Sequence, residues 1–182
     1  GRVLAGAILG SFGYIHEYLL PFVRHTGPSL SPFNAWVLVK SLETMEMRVH
    51  RMCENAQAIA EYLEKRPEIK RVRYPGLPSH PDYALAQRQM SGGGSTIGIE
   101  FAGAAKDAFK VMSALRIIDI SNNLGDSKTL ITHPASTTHS QLSPEEQLTA
   151  GVTPGLIRLS VGIEHIDDIK ADLEIGFAAA KG

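Results

Sequence analysis

The amino-acid sequence predicts a layered α/β or α+β fold, and three observations support this prediction. The chain has 182 residues, of which 43% are hydrophobic and 20% are charged, which suits one ordinary globular unit. Segments with helical periodicity alternate with segments of strand-like composition along the chain. There is no internal repeat and no long segment of low complexity.

Composition excludes several kinds of partner. The formal net charge is -1, so we expect no broad electrostatic attraction to nucleic acid or to an acidic membrane surface. No apolar run approaches the roughly 18 residues that a membrane-spanning helix needs. Cys53 is the only cysteine, so no internal disulfide can form. Because there is also no signal peptide, we expect a cytoplasmic protein.

The first element is predicted over residues 3–9 of "GRVLAGAILG", whose small and branched residues are typical of a buried strand. Since termini are usually held loosely, a chain that starts with core residues is expected to start inside a domain; an edge strand is the alternative. Residues 12–24 have helical spacing, with Pro21 expected to kink or split the helix. Ser31 and Pro32 form the N-cap and first turn of the next helix.

That next helix is predicted to run from residue 32 to residue 65. Apolar residues recur along it at alternating spacings of four and three: Leu38, Leu42, Met45, Val49, Met52, Ala56, Ile59 and Leu63. Such a stripe is found in coiled coils. Alanine and methionine within it favour instead a long scaffold helix that packs on a sheet or on another subunit.

Shorter elements alternate in the rest of the chain. Strands are predicted over residues 69–74, 96–102, 116–121 and 156–162, and helices over residues 79–90, 104–115, 143–150 and 164–180. Two pairs have the spacing of capping boxes, Ser79 with Asp82 and Ser143 with Glu146. Gly151 is expected to end the helix that Ser143 begins.

Arg158 is the first candidate site residue. One face of its predicted strand carries Ile157, Leu159 and Val161. That apolar face must be the packed one, so Arg158 points away from the core. It either faces solvent or binds a ligand, and periodicity alone leaves both open. A planar guanidinium on a rigid strand suits bidentate capture of a carboxylate.

The stretch "SNNLGDSKTLITHPASTTHSQLSPEE" is dense in groups that can touch a ligand. Asn122 and Asn123 follow the strand predicted over residues 116–121, and side chains in that place commonly line ligand crevices in α/β folds. An asparagine side chain offers both donors and an acceptor, which suits a zwitterionic ligand. The alternative is an Asx turn that Asp126 caps.

The motifs give other chemistries little support. His133 and His139, with Asp126 nearby, match no strong metal motif, so structural histidines are expected and a metal hydrolase is a remote alternative. No serine lies in a nucleophile elbow. The "SGGG" turn lacks the lysine and the strand-to-helix context of a phosphate loop. The candidates are therefore binding groups, without a general base or nucleophile in an apolar pocket.

Five segments together resemble the Cys/Met-metabolism family of pyridoxal-phosphate (PLP) enzymes, in order and at family spacing. They are "GRVLAGAILG", "GPSLSPFNAWVLVKSLETMEMRVHRMCENA", "YPGLPSHPDYALAQRQMSGGGSTIGIEF", "NLGDSKTLITHPASTTHSQLSPEEQLTAGV" and "LIRLSVGIEHIDDI". The resemblance covers essentially the whole chain. It implies the C-terminal part of a fold-type-I PLP-dependent transferase: the end of the large PLP-binding domain over residues 1–65, and a small α/β substrate-side domain over residues 66–182.

The resemblance also implies where the cofactor, pyridoxal 5'-phosphate, is held. In this family the Schiff-base lysine stands a few residues before a similar first strand, so we expect it upstream of Gly1. The N-terminal part would then bind most of the cofactor, and no catalytic or cofactor-binding residue can be assigned to this chain, which alone is expected to be inactive. Lys40 and Lys128 do not match the lysine motif.

Three residues receive substrate roles from the resemblance. Arg158 in "LIRLSVG" matches the arginine that grips the substrate α-carboxylate. Asn123 matches a position, Ser in many relatives, whose backbone or side chain also contacts this carboxylate. Asn122 matches the preceding position, which varies with substrate preference. The Asn-Asn pair resembles the sulfhydrylases of the family more than its lyases.

For the whole protein the resemblance implies a sulfhydrylase in methionine synthesis, in which sulfide replaces the acyloxy group of O-succinyl- or O-acetylhomoserine and homocysteine results. A γ-lyase or γ-synthase of the same family is the alternative. A non-catalytic homologous module is a third possibility, which the missing lysine supports and a start inside a core strand argues against. We expect a homotetramer, built as a dimer of dimers, with no nucleic-acid or membrane partner.

Overall fold

The computed structural model describes residues 2–103 and 105–181. It divides into two compact units, Gly1–Glu46 and Met47–Gly182. The domain boundary near residue 65 rests on the resemblance to whole enzymes, and it stays a prediction. Within the described residues, no helix combines the length and the hydrophobicity needed to cross a membrane.

In the first unit, the strand predicted over residues 3–9 is wrong. Residues 2–11 have no regular secondary structure, and Leu4, Ile8 and Leu9 are 95%, 64% and 93% exposed. A strand forms only when a neighbouring backbone completes its hydrogen bonds. The sheet of the described residues contains no strand paired with this segment, so its strand-like composition has nothing to pair with.

The helix predicted over residues 12–24 is confirmed, and a π-helical turn precedes Pro21 within it. Its parts are α1 (Phe12–Tyr14), a π-helical turn (Ile15–Leu19) and α2 (Leu20–Thr26). Proline has no N–H to donate to the preceding turn, and a widened turn is one way in which a helix accommodates this loss. The helix ends at Gly27, whose φ of 81° is the left-handed conformation typical of a C-cap.

The single helix predicted over residues 32–65 is wrong, because two helices occupy this range. They are α3 (Pro32–Leu42), with the Ser31 side chain accepting the Asn34 N–H at 3.2 Å, and α4 (Met45–Leu63). The apolar stripe continues across the turn between them, so periodicity could not reveal the break. Ala56, Ile59 and Leu63 of α4 are fully buried in the core of the second unit, which confirms a scaffold helix over a coiled coil.

The second unit contains a five-stranded sheet of order β1-β2-β5-β4-β3, in which only β3 and β4 run parallel. Its strands are β1 (Ile69–Arg73), β2 (Thr96–Phe101), β3 (Asp119–Ile120), β4 (Leu130–Thr132) and β5 (Leu156–Ser160). The sequence did not predict β4, which lies inside the polar stretch and is too short for an alternating pattern. The layered α/β prediction is confirmed.

The remaining helices are α5 (Tyr83–Gln89), α6 (Ala105–Ala114), α7 (Pro144–Thr149) and α8 (Ile166–Lys181). Residue 104, where α6 was predicted to begin, lies outside the described residues. The capping box of Ser143 and Glu146 is confirmed by both of its hydrogen bonds. The box predicted for Ser79 is wrong, because its hydroxyl bonds to Glu64 and α5 begins after Asp82 without a side-chain cap.

One face of the sheet packs on α4, α6 and α8. Alternate strand residues such as Ile97, Ile99 and Ile157 lie in this core, as the period of two requires. Helices α6 and α8 approach closely, since a Cβ at Gly176 would lie only 2.8 Å from Val111 Cγ1. Burying each large apolar side chain contributes about 1.5–3 kcal/mol, so this face holds the sheet in place and leaves the opposite face for other contacts.

A buried carboxylate fixes the turn that leads into β3. Asp172 on α8 is 1% exposed. Its oxygens accept the backbone N–H groups of Arg116, Ile117 and Ile118 at 2.8, 3.0 and 2.9 Å. Strand β3 follows directly, and the segment with both asparagines follows β3. The start of the candidate loop is therefore tied to the helical layer.

Candidate functional site

Arg158 lies in the middle of β5 on the sheet face opposite the core, as the alternation predicted. Its neighbours across the sheet are Gly98 on β2 and Thr132 on β4. The adjacent Ile157 and Leu159 are buried in the core on the other face. Gly98 has no side chain, and the Arg73 side chain of β1 lies over it, since a Cβ at Gly98 would be 3.3 Å from Arg73 Cβ.

One nitrogen of the guanidinium donates hydrogen bonds to two backbone carbonyls. Nη2 of Arg158 donates to the carbonyl oxygen of Asn122 at 2.7 Å and to that of Asn123 at 3.4 Å. Nε of Arg158 is buried and has no hydrogen-bond partner in the described part of the chain. A guanidinium offers five N–H donors, and the two described bonds use Nη2 alone, so other donors of this cation remain for a further acceptor.

Burial lowers the pKa of the Arg158 guanidinium. Removing a cation from water disfavours its charged form, and an anion within a few ångströms would compensate for this. Among the described residues, no ion pair supplies a carboxylate to Arg158. The electrostatic environment of Arg158 therefore favours an anionic ligand.

The structure brings Asn122 and Asn123 to Arg158, but through their backbone. Both residues are exposed, and the groups that meet the guanidinium are the main-chain carbonyls. Sequence reasoning had considered the side-chain amides, and at Asn123 the backbone as well, but as groups that bind the substrate. The contact with Arg158 therefore does not depend on which side chains residues 122 and 123 carry. The two side-chain amides lie at the exposed rim of the site.

The loop that carries these asparagines is held at both ends. At its start, the Ser121 N–H donates to Ile131 O at 3.0 Å, and the Ser121 hydroxyl accepts the Asn123 N–H at 3.3 Å. At its end, the Gly125 N–H donates to the Ser160 hydroxyl at 3.1 Å. The predicted Asx turn is also present directly after the loop, since Asp126 Oδ1 accepts the Lys128 N–H at 3.3 Å. The candidate site and the turn are therefore adjacent parts of one polar segment.

Sequence reasoning missed Ser160. It is 1% exposed and shares the outer face of β5 with Arg158, two residues further along. The alternation of the strand placed it on that face, but nothing in the sequence indicated that the loop would return to it.

The two histidines of the polar stretch, His133 and His139, form hydrogen bonds with nearby protein groups. His133 is 4% exposed, with Nδ1 2.9 Å from Ser136 Oγ and Nε2 2.8 Å from Pro154 O. His139 Nδ1 lies 2.9 Å from Thr138 Oγ1. Among the residues that the structure describes, no three His, Cys, Asp or Glu side chains are grouped so as to hold a metal ion. His133, His139 and Asp126 therefore do not form a metal site.

A separate cavity of about 390 Å³ lies beside α4, where the "SGGG" turn forms part of the wall. Cys53, Gln57 and Tyr74 also line it. Burial raises the pKa of Tyr74 to about 12, and its hydroxyl donates to Gly94 O at 2.9 Å. The turn is thus packed against a buried phenol: a Cβ at Gly93 would lie 2.6 Å from Tyr74 Cζ.

Comparison with known proteins finds close relatives. O-succinylhomoserine sulfhydrylase of Mycobacterium tuberculosis is 51% identical over 178 residues, which cover 96% of this chain and 44% of that protein. L-methionine gamma-lyase of Porphyromonas gingivalis is 44% identical over 177 residues, with 97% and 44% coverage. The chain thus spans less than half the length of these curated relatives.

A solved structure shares the fold. The putative O-acetylhomoserine (thiol)-lyase of Campylobacter jejuni, which contains N'-pyridoxyl-lysine-5'-monophosphate, superposes with a TM-score of 0.87 at 37% identity. The match covers 93% of this chain and 41% of that one. The profile of the Cys/Met metabolism PLP-dependent enzymes matches residues 1–178. The chain belongs to the Cys/Met metabolism family of PLP-dependent enzymes.

Proposed function

We propose that this chain supplies the α-carboxylate-binding side of the active site of a PLP-dependent homoserine sulfhydrylase. The whole protein would exchange the acyloxy group of O-succinyl- or O-acetylhomoserine for sulfide and release homocysteine. The observation that carries the proposal is Arg158, whose guanidinium is oriented by two backbone carbonyls through Nη2 and forms no ion pair with a carboxylate of the described residues.

Arg158 is suited to hold the carboxylate of an amino-acid substrate. A carboxylate accepts two parallel N–H bonds from a guanidinium, a pairing that fixes both position and plane. The carbonyls of Asn122 and Asn123 restrain Nη2, so little side-chain freedom is left to lose on binding. Fixing the carboxylate at one point restricts rotation of the substrate about its Cα, which presents the same C–H bond to the reacting groups each time.

The described residues fit the substrate side of such a site, and we assign none of them to the cofactor itself. Bound PLP supplies the electron sink for chemistry at the substrate Cα and Cβ. Lys40 and Lys128 lie at the surface in ion pairs of 2.8 Å with Glu43 and Asp119. Each therefore has a carboxylate partner, and neither is assigned a role in the reaction.

The choice among reactions rests on the resemblance of the asparagine pair to sulfhydrylases. Relatives of this chain include both a sulfhydrylase at 51% and a γ-lyase at 44% identity, so identity alone does not decide between them. The exposed amides of Asn122 and Asn123 lie beside the proposed carboxylate site. They are placed to affect which substrate is accepted.

An assay of the whole protein tests the proposal. With PLP and sulfide, we expect homocysteine from at least one of the two acyl esters, and L-methionine without sulfide should be a poorer substrate. Faster release of methanethiol and 2-oxobutanoate from methionine would favour the γ-lyase instead. If no substrate reacts in a folded, PLP-loaded protein, the non-catalytic module becomes the better explanation.

We also propose that the whole protein is a cytoplasmic homotetramer. Phe33, Trp36 and Val39 of α3 are 69%, 58% and 59% exposed in this chain, and such residues usually mark a contact surface, which either another subunit or the rest of the whole protein would cover. Light scattering of the whole protein should give a mass of four subunits; a monomeric mass would contradict this.

A further inference from the structure

Strand β5 holds the asparagine loop at two points. Arg158 donates hydrogen bonds to the carbonyls of Asn122 and Asn123. The Ser160 hydroxyl accepts a hydrogen bond from the N–H of Gly125 at 3.1 Å. Both side chains stand on the outer face of the strand. The Ser160 side chain is 1% exposed, so its hydroxyl is a buried polar group, and the loop N–H donates a hydrogen bond to its oxygen.

The hydrogen bond between Ser160 and Gly125 restricts the position of the asparagine loop. Between the backbone bond of Ser121 to β4 and the bond of Gly125 to Ser160, only three residues remain. With both ends fixed over so short a span, the two asparagine carbonyls are confined to positions near Arg158. Gly125 ends the loop with φ of 71°, a conformation that glycine adopts without strain.

Arg158 in turn depends on the loop. Its described hydrogen bonds run from Nη2 to the two carbonyls of that loop, and its Nε has no partner of its own. A loop that moved away would free the guanidinium to rotate. The Ser160 hydroxyl is therefore connected to the orientation of Arg158 through one short, tethered segment.

We infer that Ser160 is a positioning residue of the carboxylate site: its hydroxyl fixes the loop at Gly125, and the loop fixes the guanidinium of Arg158. The inference rests on the function proposed above. Ser160 acts through Arg158 and does not itself touch the substrate. Its contribution should therefore appear only for ligands that carry a carboxylate, and only while Arg158 is present.

Two probes separate this role from a general structural one. L-norvaline carries the α-amino and α-carboxylate groups but no leaving group, and n-butylamine is the same molecule without the carboxylate. With the whole PLP-loaded enzyme, we expect Ser160→Ala to raise the calorimetric Kd of norvaline by about five- to tenfold, the loss of one hydrogen bond. The Kd of butylamine should change by less than about twofold, and Ser160→Thr, which keeps the hydroxyl, should restore much of the norvaline affinity.

A double-mutant cycle tests the connection. In an Arg158→Ala background, Ser160→Ala should leave the norvaline Kd within about twofold, because the group through which it acts is gone. The matched control is Thr132→Val, which removes another buried hydroxyl, bonded to Thr137 at 3.0 Å and not to the loop. This control should leave the norvaline Kd unchanged.

Amide hydrogen exchange gives a readout that needs neither ligand nor turnover. Ser160→Ala should speed exchange in the peptide that contains residues 121–125, and Thr132→Val should not. If Ser160→Ala weakens norvaline and butylamine equally, or keeps its full effect without Arg158, the positioning role is wrong. If Arg158→Ala leaves norvaline binding intact, the proposed carboxylate site itself fails, which is a distinguishable result.

Discussion

Replacing Arg158 by alanine in the whole enzyme is expected to lower kcat/KM by roughly 30- to 5000-fold, at about 1.4 kcal/mol for each tenfold. The physical reason is that the substrate carboxylate loses a charge-assisted pairing in a partly buried place. Losing one partner of such a bond costs on the order of 2–5 kcal/mol, since the other charge is left without compensation. Steady-state kinetics with an acyl homoserine and sulfide measure this directly.

Two controls accompany this variant. Arg158→Lys should also be impaired, because one ammonium cannot reproduce the planar fork of a guanidinium. The absorbance of bound cofactor should remain nearly normal in both, since the arginine is proposed to address the substrate. A change in kcat/KM of less than about threefold in a folded, cofactor-loaded alanine variant is the size expected of an ordinary surface substitution. It would remove Arg158 from the site.

Replacing Asp172 by alanine is expected to lower the free energy of unfolding by roughly 3–5 kcal/mol. The carboxylate is 1% exposed and accepts three backbone N–H groups between α6 and β3. Without it, three donors in a partly buried turn lose their acceptor together. Asp172→Asn should cost roughly half as much, because the amide keeps one acceptor oxygen and turns an N–H₂ group toward a donor.

Urea unfolding of the variants measures this loss. The matched control is Asp168→Ala on the same helix, where the carboxylate is exposed in the first turn. It should cost less than about 1 kcal/mol, the usual size of a charge interaction with a helix terminus. Similar losses for Asp168→Ala and Asp172→Ala would show that the three-donor contact contributes nothing special to stability.

Local features of the fold were accessible from the sequence because their causes are local. The capping box of Ser143 and Glu146 needs only four consecutive residues, and both of its bonds form. The similar pair Ser79 and Asp82 does not form a box: the Ser79 hydroxyl donates to Glu64, which is distant in sequence, and α5 begins only after Asp82. The four-residue pattern alone therefore does not determine where a helix begins.

Longer-range features were less accessible. The segment over residues 3–9 has strand composition, but a strand is a property of two backbones, and within the described residues it has no partner. In the opposite direction, β4 forms inside a polar stretch because β5 and β3 lie on either side of it. Composition alone indicates neither outcome.

The sequence by itself determined the family of this chain and the face of β5 on which Arg158 lies. Both follow from the order of residues along the chain: the family from the order of its motifs, and the face from the alternation of side chains in a strand. Tertiary structure alone decided what Arg158 meets. The carbonyls of Asn122 and Asn123 and the hydroxyl of Ser160 act together only because the loop after β3 folds back over β5. Every residue has a backbone carbonyl, so no side-chain pattern could predict that the carbonyls of these two asparagines accept hydrogen bonds from Arg158 and orient its guanidinium.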